Sequence, residues 1–87
     1  MTATPVLRAG LRLQWEETQQ AQVLLFPEGM VRLNESAGAI LALVDGQHST
    51  ADIIQLLAER FPGTENLVRD VERFLSVAYD KQWIDWR

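Results

Sequence analysis

The side chains able to do covalent or proton-transfer chemistry are few in this sequence, and they are scattered. The 87 residues hold one histidine, His48, in the polar run 46–49, and no cysteine. A lone histidine has no second imidazole or thiolate with which to share a metal, and no thiol to activate. It reads as an exposed loop residue. Carboxylates pair at Glu16-Glu17 and again around Asp70 and Glu72. The first pair falls in a polar turn and the second on a polar helix face, and neither setting supplies the dry cleft that general acid–base work requires. Gly29, Gly38, Gly46 and Gly63 stand alone, so no glycine-rich phosphate loop is present. The missing cysteines exclude disulfides, thiolate zinc sites and all-cysteine iron–sulfur clusters. These residues predict a chain that is not an enzyme and carries no cofactor.

Charge narrows the partner. Twelve acids against eight bases give a net charge of −4, which lacks the basic footprint of a protein whose ligand is a phosphate backbone. Arg60 is the single base of the segment 51–61, against Asp52 and Glu59; Arg69, Arg73 and Lys81 are offset by Glu65, Asp70, Glu72 and Asp80. Nucleic acid is therefore not expected as the partner, although a winged-helix nucleic-acid-binding protein remains the alternative from a different class. No run approaches the 18 to 20 apolar residues of a membrane span, so a cytoplasmic protein is expected.

The elements that must position any binding surface follow from periodicity. Residues 11–16 alternate, with Leu11, Leu13 and Trp15 against Arg12, Gln14 and Glu16, predicting a half-buried strand. A polar link leads to Val23-Leu24-Leu25-Phe26, which is apolar on both faces and reads as a central, covered strand. Phe26-Pro27-Glu28-Gly29 suits a tight turn, with proline's fixed φ at its second position. Residues 30–33 then form a third strand. Two short links imply an antiparallel meander with the second strand in the middle.

Three helices are predicted next. The first starts at the cap Asn34, buries Ala37, Ile40, Leu41 and Val44, and stops at Gly46. The second is capped by Ser49 or Thr50 and ends at Pro62-Gly63. The third, capped by Thr64 or Asn66, has an inner stripe of Leu67, Val71, Phe74 and Ala78 and a second apolar stripe of Val68, Leu75 and Tyr79. The fold class is α+β: a three-stranded antiparallel β-meander followed by three α-helices, winged-helix-like in order. Residues 1–10 are expected to be a flexible N-terminus and residues 11–87 a single domain. Trp83, Ile84 and Trp86 are a heavy apolar load for a free tail and are expected to dock on the body or on a partner.

In such a meander the third strand is an edge with unpaired backbone groups, guarded only by Arg32. An extended peptide can add there, taking affinity from main-chain hydrogen bonds and specificity from a groove against the third helix. Replacing Val31 with proline is expected to remove an edge amide. The same edge allows either a monomer or a strand-mediated homodimer.

The residues Leu24-Leu25-Phe26-Pro27-Glu28-Gly29, Leu33-Asn34, Ile40-Leu41, Asp45-Gly46, Thr50, Phe61-Pro62, Asp70-Val71 and Phe74-Leu75 together resemble the PqqD family of pyrroloquinoline quinone biosynthesis. The resemblance runs from about residue 11 to 83. It implies a peptide chaperone, a precursor-peptide recognition element that binds the precursor peptide PqqA by β-strand addition and presents it to the radical SAM enzyme PqqE. Carried onto this sequence, it implies a peptide-binding cleft formed by Met30, Val31, Arg32 and Leu33 on the strand, and by Val68, Glu72, Leu75 and Tyr79 on the third helix. A recognition domain of another peptide-modification pathway is the nearer alternative.

Overall fold

A computed structural model describes residues 3–87. Its elements run β1 (Pro5–Leu7), β2 (Arg12–Glu16), β3 (Ala21–Phe26), β4 (Gly29–Arg32), α1 (Glu35–Leu41), α2 (Thr50–Arg60), α3 (Leu67–Asp80) and β5 (Ile84–Trp86). The meander is present in the order β2-β3-β4, with β3 central, and three helices follow it. Leu13 lies opposite Leu24, and Val31 lies opposite Leu24 from the other side. These inward residues join Leu33, Ile40, Leu41, Ile53, Leu57, Val71, Leu75 and Ile84 in one hydrophobic core. Helix α1 rests directly on β3: a methyl on Gly38 would meet the Gln22 side chain at 3.0 Å, so glycine lets the two approach without Gln22 giving way.

Helix ends follow local chemistry. Asn34 accepts from the Ala37 amide at 2.8 Å and starts α1. Ser49 and Asp52 cap α2 reciprocally. Phe61 ends α2 just before Pro62. Asn66 sits at the start of α3 with φ at 60° and makes no capping bond, a departure from the capping role expected of it or Thr64.

Two expectations are corrected. Helix α1 ends at Leu41 rather than running to Gly46. The chain leaves it through tight turns at Leu43 and Val44 so that Asp45 can bridge to Val6, while Val44 stays buried outside the helix. The segment 1–10, expected to be flexible, instead carries β1; Met1 and Thr2 lie outside the described residues. Strand β1 pairs antiparallel with β5, matching Val6 to Asp85. Thr4 and Arg87 exchange both backbone hydrogen bonds, at 3.2 and 2.8 Å, and Arg8 donates to Asp85 at 2.7 Å. Ile84 is fully buried, and Trp83 packs on the core with Lys81 over its ring. The terminal tryptophan segment thus docks on the body as a strand whose partner the alternation of residues 11–26 did not reveal.

Candidate functional site

Which backbone groups of β4 are free follows from register. Leu33 donates to the Gln22 carbonyl at 2.9 Å, and the β3–β4 register places Val31 opposite Leu24, Arg32 opposite Val23 and Met30 opposite Leu25. Antiparallel pairs alternate between bonded and non-bonded residues. Val31 and Leu33 therefore bond inward to β3. Met30 and Arg32 turn their N–H and C=O groups outward, away from the sheet. Among the described residues no further strand lies beside β4 and no backbone hydrogen bond satisfies those four groups. Val31, expected to offer an edge amide, instead holds the sheet together.

Side chains alternate with the same period. Val31 and Leu33 face the core, whereas Met30, at 60% exposure, and Arg32 face the outer side of the sheet. Beside the end of β4 lies an apolar hollow of about 380 Å³. It is walled by Asn34, Ala37 and Ile40 from the start of α1, by Leu57 and Phe61 from α2, and by Leu67, Asp70, Val71 and Phe74 from α3. Val31, Leu67 and Phe74 pack around the same core cluster.

The helix residues expected to line the groove are placed differently. Leu75 is 1% exposed and belongs to the core. Val68 and Tyr79 are 52% and 47% exposed and, with the exposed Glu72, lie on the flank of α3 opposite to Asp70 and Phe74. None of the four borders the hollow. Of the inner stripe, Leu67, Val71 and Phe74 border it, with Leu67 and Phe74 half-buried at its rim.

A second, larger hollow of about 530 Å³ lies where β2 ends and β3 begins, between Trp15, Gln20 and Gln22, the end of β4 at Arg32 and Leu33, Glu35 and Gly38 of α1, and Ala42 just past it. Its walls are more polar, and it offers an extended chain less apolar surface than the hollow beside α3.

No catalytic geometry accompanies these surfaces. His48 sits with Nδ1 3.0 Å from Asp45, not beside a nucleophile. The Gln47 amide donates to the Asp45 carboxylate, and that bond, with His48 beside it, holds the Asp45 pKa below its usual value. Among the described residues no group of three or more His, Asp or Glu side chains is placed to hold a metal ion, and no helix is long and apolar enough to cross a membrane.

Residues 21–84 match the family model described as coenzyme PQQ synthesis protein D (PqqD). A protein of Azotobacter vinelandii named PqqA binding protein is 53% identical over 81 residues, covering 93% of this chain and 88% of its own length. The PqqA binding protein of Pseudomonas paraeruginosa is 49% identical, covering 98% of this chain and 92% of its own. Among solved structures, the solution structure of the PqqD part of Methylobacterium extorquens PqqCD, described as a functional, stand-alone recognition element for ribosomally synthesized peptides, matches with a TM-score of 0.77 at 30% identity. It covers 93% of this chain and 87% of that one. The crystal structure of PqqD from Xanthomonas campestris matches with a TM-score of 0.59 at 33% identity, covering 92% and 90%.

Proposed function

Because the chain belongs to the PqqD family, we propose that it binds the precursor peptide PqqA as an added strand along β4 and presents it to the radical SAM enzyme PqqE. The observation that carries this reading is the pair Met30 and Arg32, whose four outward backbone groups meet no protein partner among the described residues, beside an apolar hollow. Each strand hydrogen bond contributes roughly 0.5 to 1.5 kcal/mol. Inward peptide side chains add apolar burial against Val31, Leu67 and Phe74.

The role is non-catalytic and cytoplasmic. Holding the precursor beside its enzyme raises the local concentration of the peptide and fixes its direction. The family names and the scattered chemistry of the side chains support this division of labour, with the modification done by the partner. Two copies of the chain can also pair along the same edge, so self-association and peptide binding compete for β4, and the monomer is the working form.

The test is a titration of this protein with labelled PqqA peptide from Azotobacter vinelandii, followed by fluorescence anisotropy, with PqqE then added to the complex. Saturable binding and a further rise in anisotropy on adding the enzyme are expected. A peptide that stays free at tens of micromolar protein would overturn the binding role, and an enzyme that leaves the binary complex unchanged would overturn the presenting role.

A further inference from the structure

We infer that Arg32 selects a carboxylate on the bound peptide, two residues away from an apolar peptide side chain that lies against Met30. The inference rests on strand addition at β4.

The argument concerns the outer face of the sheet, away from the helices. That face carries Arg12, Gln14 and Glu16 from β2, Ala21, Val23 and Leu25 from β3, and Met30 and Arg32 from β4. Its centre is apolar. Val23 is 0% exposed although it does not belong to the helix-packed core, and its register partners are Gln14 and Arg32. Val23 thus separates Arg32 from the β2 side chains in the register, and Arg32 itself is exposed at the sheet edge.

The polar groups on this face are not equally satisfied. Arg12 donates to Gln14 at 3.3 Å and Gln14 donates to Glu16 at 2.8 Å, so the β2 side forms a closed ladder. Arg32 takes part in none of it. Among the described residues the ion pairs are Arg8 with Asp85 and His48 with Asp45, and Arg32 donates no side-chain hydrogen bond. Its neighbour toward the sheet, Val23, offers no acceptor. The remaining in-plane neighbour is the strand that adds to β4.

Register then states what that strand must carry. A residue directly opposite Arg32 projects onto the same outer face, with its Cβ about 4.5 to 5.5 Å away, and this holds for either strand direction. A carboxylate there pairs with the guanidinium. The residue opposite Met30 shares the same face two positions away, where an apolar side chain covers the exposed thioether beside Leu25. The residue between them, opposite Val31, turns to the core side of the sheet. The pattern recognised is a carboxylate, an inward apolar residue and an outward apolar residue, in consecutive positions.

The test uses the whole protein and PqqA peptide from Azotobacter vinelandii. Amide shifts at Met30 and Arg32 on adding the peptide to the wild-type protein report strand addition itself. Arg32→Gln is expected to weaken binding about twofold to fivefold and Arg32→Glu about threefold to tenfold, both less at high salt. Lysine is then substituted in turn at each acidic position of the peptide. One position is expected to restore binding to Arg32→Glu while weakening the wild type. If the amide shifts appear but no lysine peptide exchanges preference, or if both Arg32 variants bind as tightly as the wild type, the guanidinium is merely solvated and the inference fails. If the shifts at Met30 and Arg32 are absent, strand addition fails and the inference fails with it.

Discussion

Two neighbouring proline substitutions should have opposite consequences. Met30→Pro removes an amide that points away from the sheet; edge positions with the N–H facing outward are where strands accept proline. The β3–β4 ladder keeps its bonds, and the melting temperature is expected to stay within a few degrees of the wild type. The peptide loses one main-chain hydrogen bond, roughly 0.5 to 1.5 kcal/mol, which weakens affinity about twofold to thirteenfold. Val31→Pro instead removes the bond to Leu24, a residue 0% exposed, leaving a buried carbonyl without its donor at a cost of about 1 to 3 kcal/mol. For a domain of this size each kcal/mol lowers the melting temperature by roughly 4 to 8 °C. Far-UV circular dichroism melts and anisotropy titrations with labelled PqqA peptide, run on both variants, separate the two effects. A Met30→Pro protein that melts earlier than Val31→Pro, or that binds peptide as tightly as the wild type, would refute the register argument.

Other consequences follow from the same geometry. Leu75→Ala should cost about 2 to 5 kcal/mol of stability, read by denaturant unfolding, because Leu75 is a core residue; peptide affinity of the folded protein should be little changed. Val68→Ser and Tyr79→Ser should leave peptide affinity within about twofold, whereas Leu67→Ser, on the flank lining the hollow, should weaken it about tenfold, the cost of roughly one exposed apolar side chain. The Asp45 pKa is lowered in the folded state, so the ionised carboxylate contributes stability above its unfolded value of about 3.8 that is lost as pH falls through the lower folded value. Asp45→Asn should therefore flatten the acid limb of a stability profile below about pH 4. Deleting residues 1–7 should destabilise the fold and expose Ile84, because it removes the partner strand of β5, and increased binding of a hydrophobic dye would report it.

The meander was legible in the sequence because strand alternation, the Pro27-Glu28 turn and the caps Asn34 and Ser49 are local signals. The free edge could be named as well, since short links force the middle strand between its neighbours. The split within that edge could not: whether Val31 or Met30 turns its amide outward depends on the pairing of Leu33 with Gln22, eleven residues away. The burial of the α3 side chains was not legible for a related reason. A helical wheel finds two apolar stripes on α3 but not which residues end up interior, and the packing of α2 and of Ile84 against α3 settles that Leu75 belongs to the core. Strand β1 was invisible because Pro5, Val6 and Leu7 make a weak pattern, strengthened only by Asp45 and by residues 84–86 from the far end of the chain. The outer face of β3 taught a further point. A doubly apolar strand need not be covered by helices on both sides: Val23 is fully buried on the face away from the helix-packed core.

The most direct measurement is amide hydrogen exchange along β4 with and without PqqA peptide from Azotobacter vinelandii. In the free protein Val31 and Leu33 should already be protected, while Met30 and Arg32 exchange quickly. Bound peptide should slow Met30 and Arg32 sharply and change the other two little. Fast exchange at Met30 and Arg32 in a saturated complex, or protection appearing instead on the Val68 and Tyr79 flank of α3, would contradict the account.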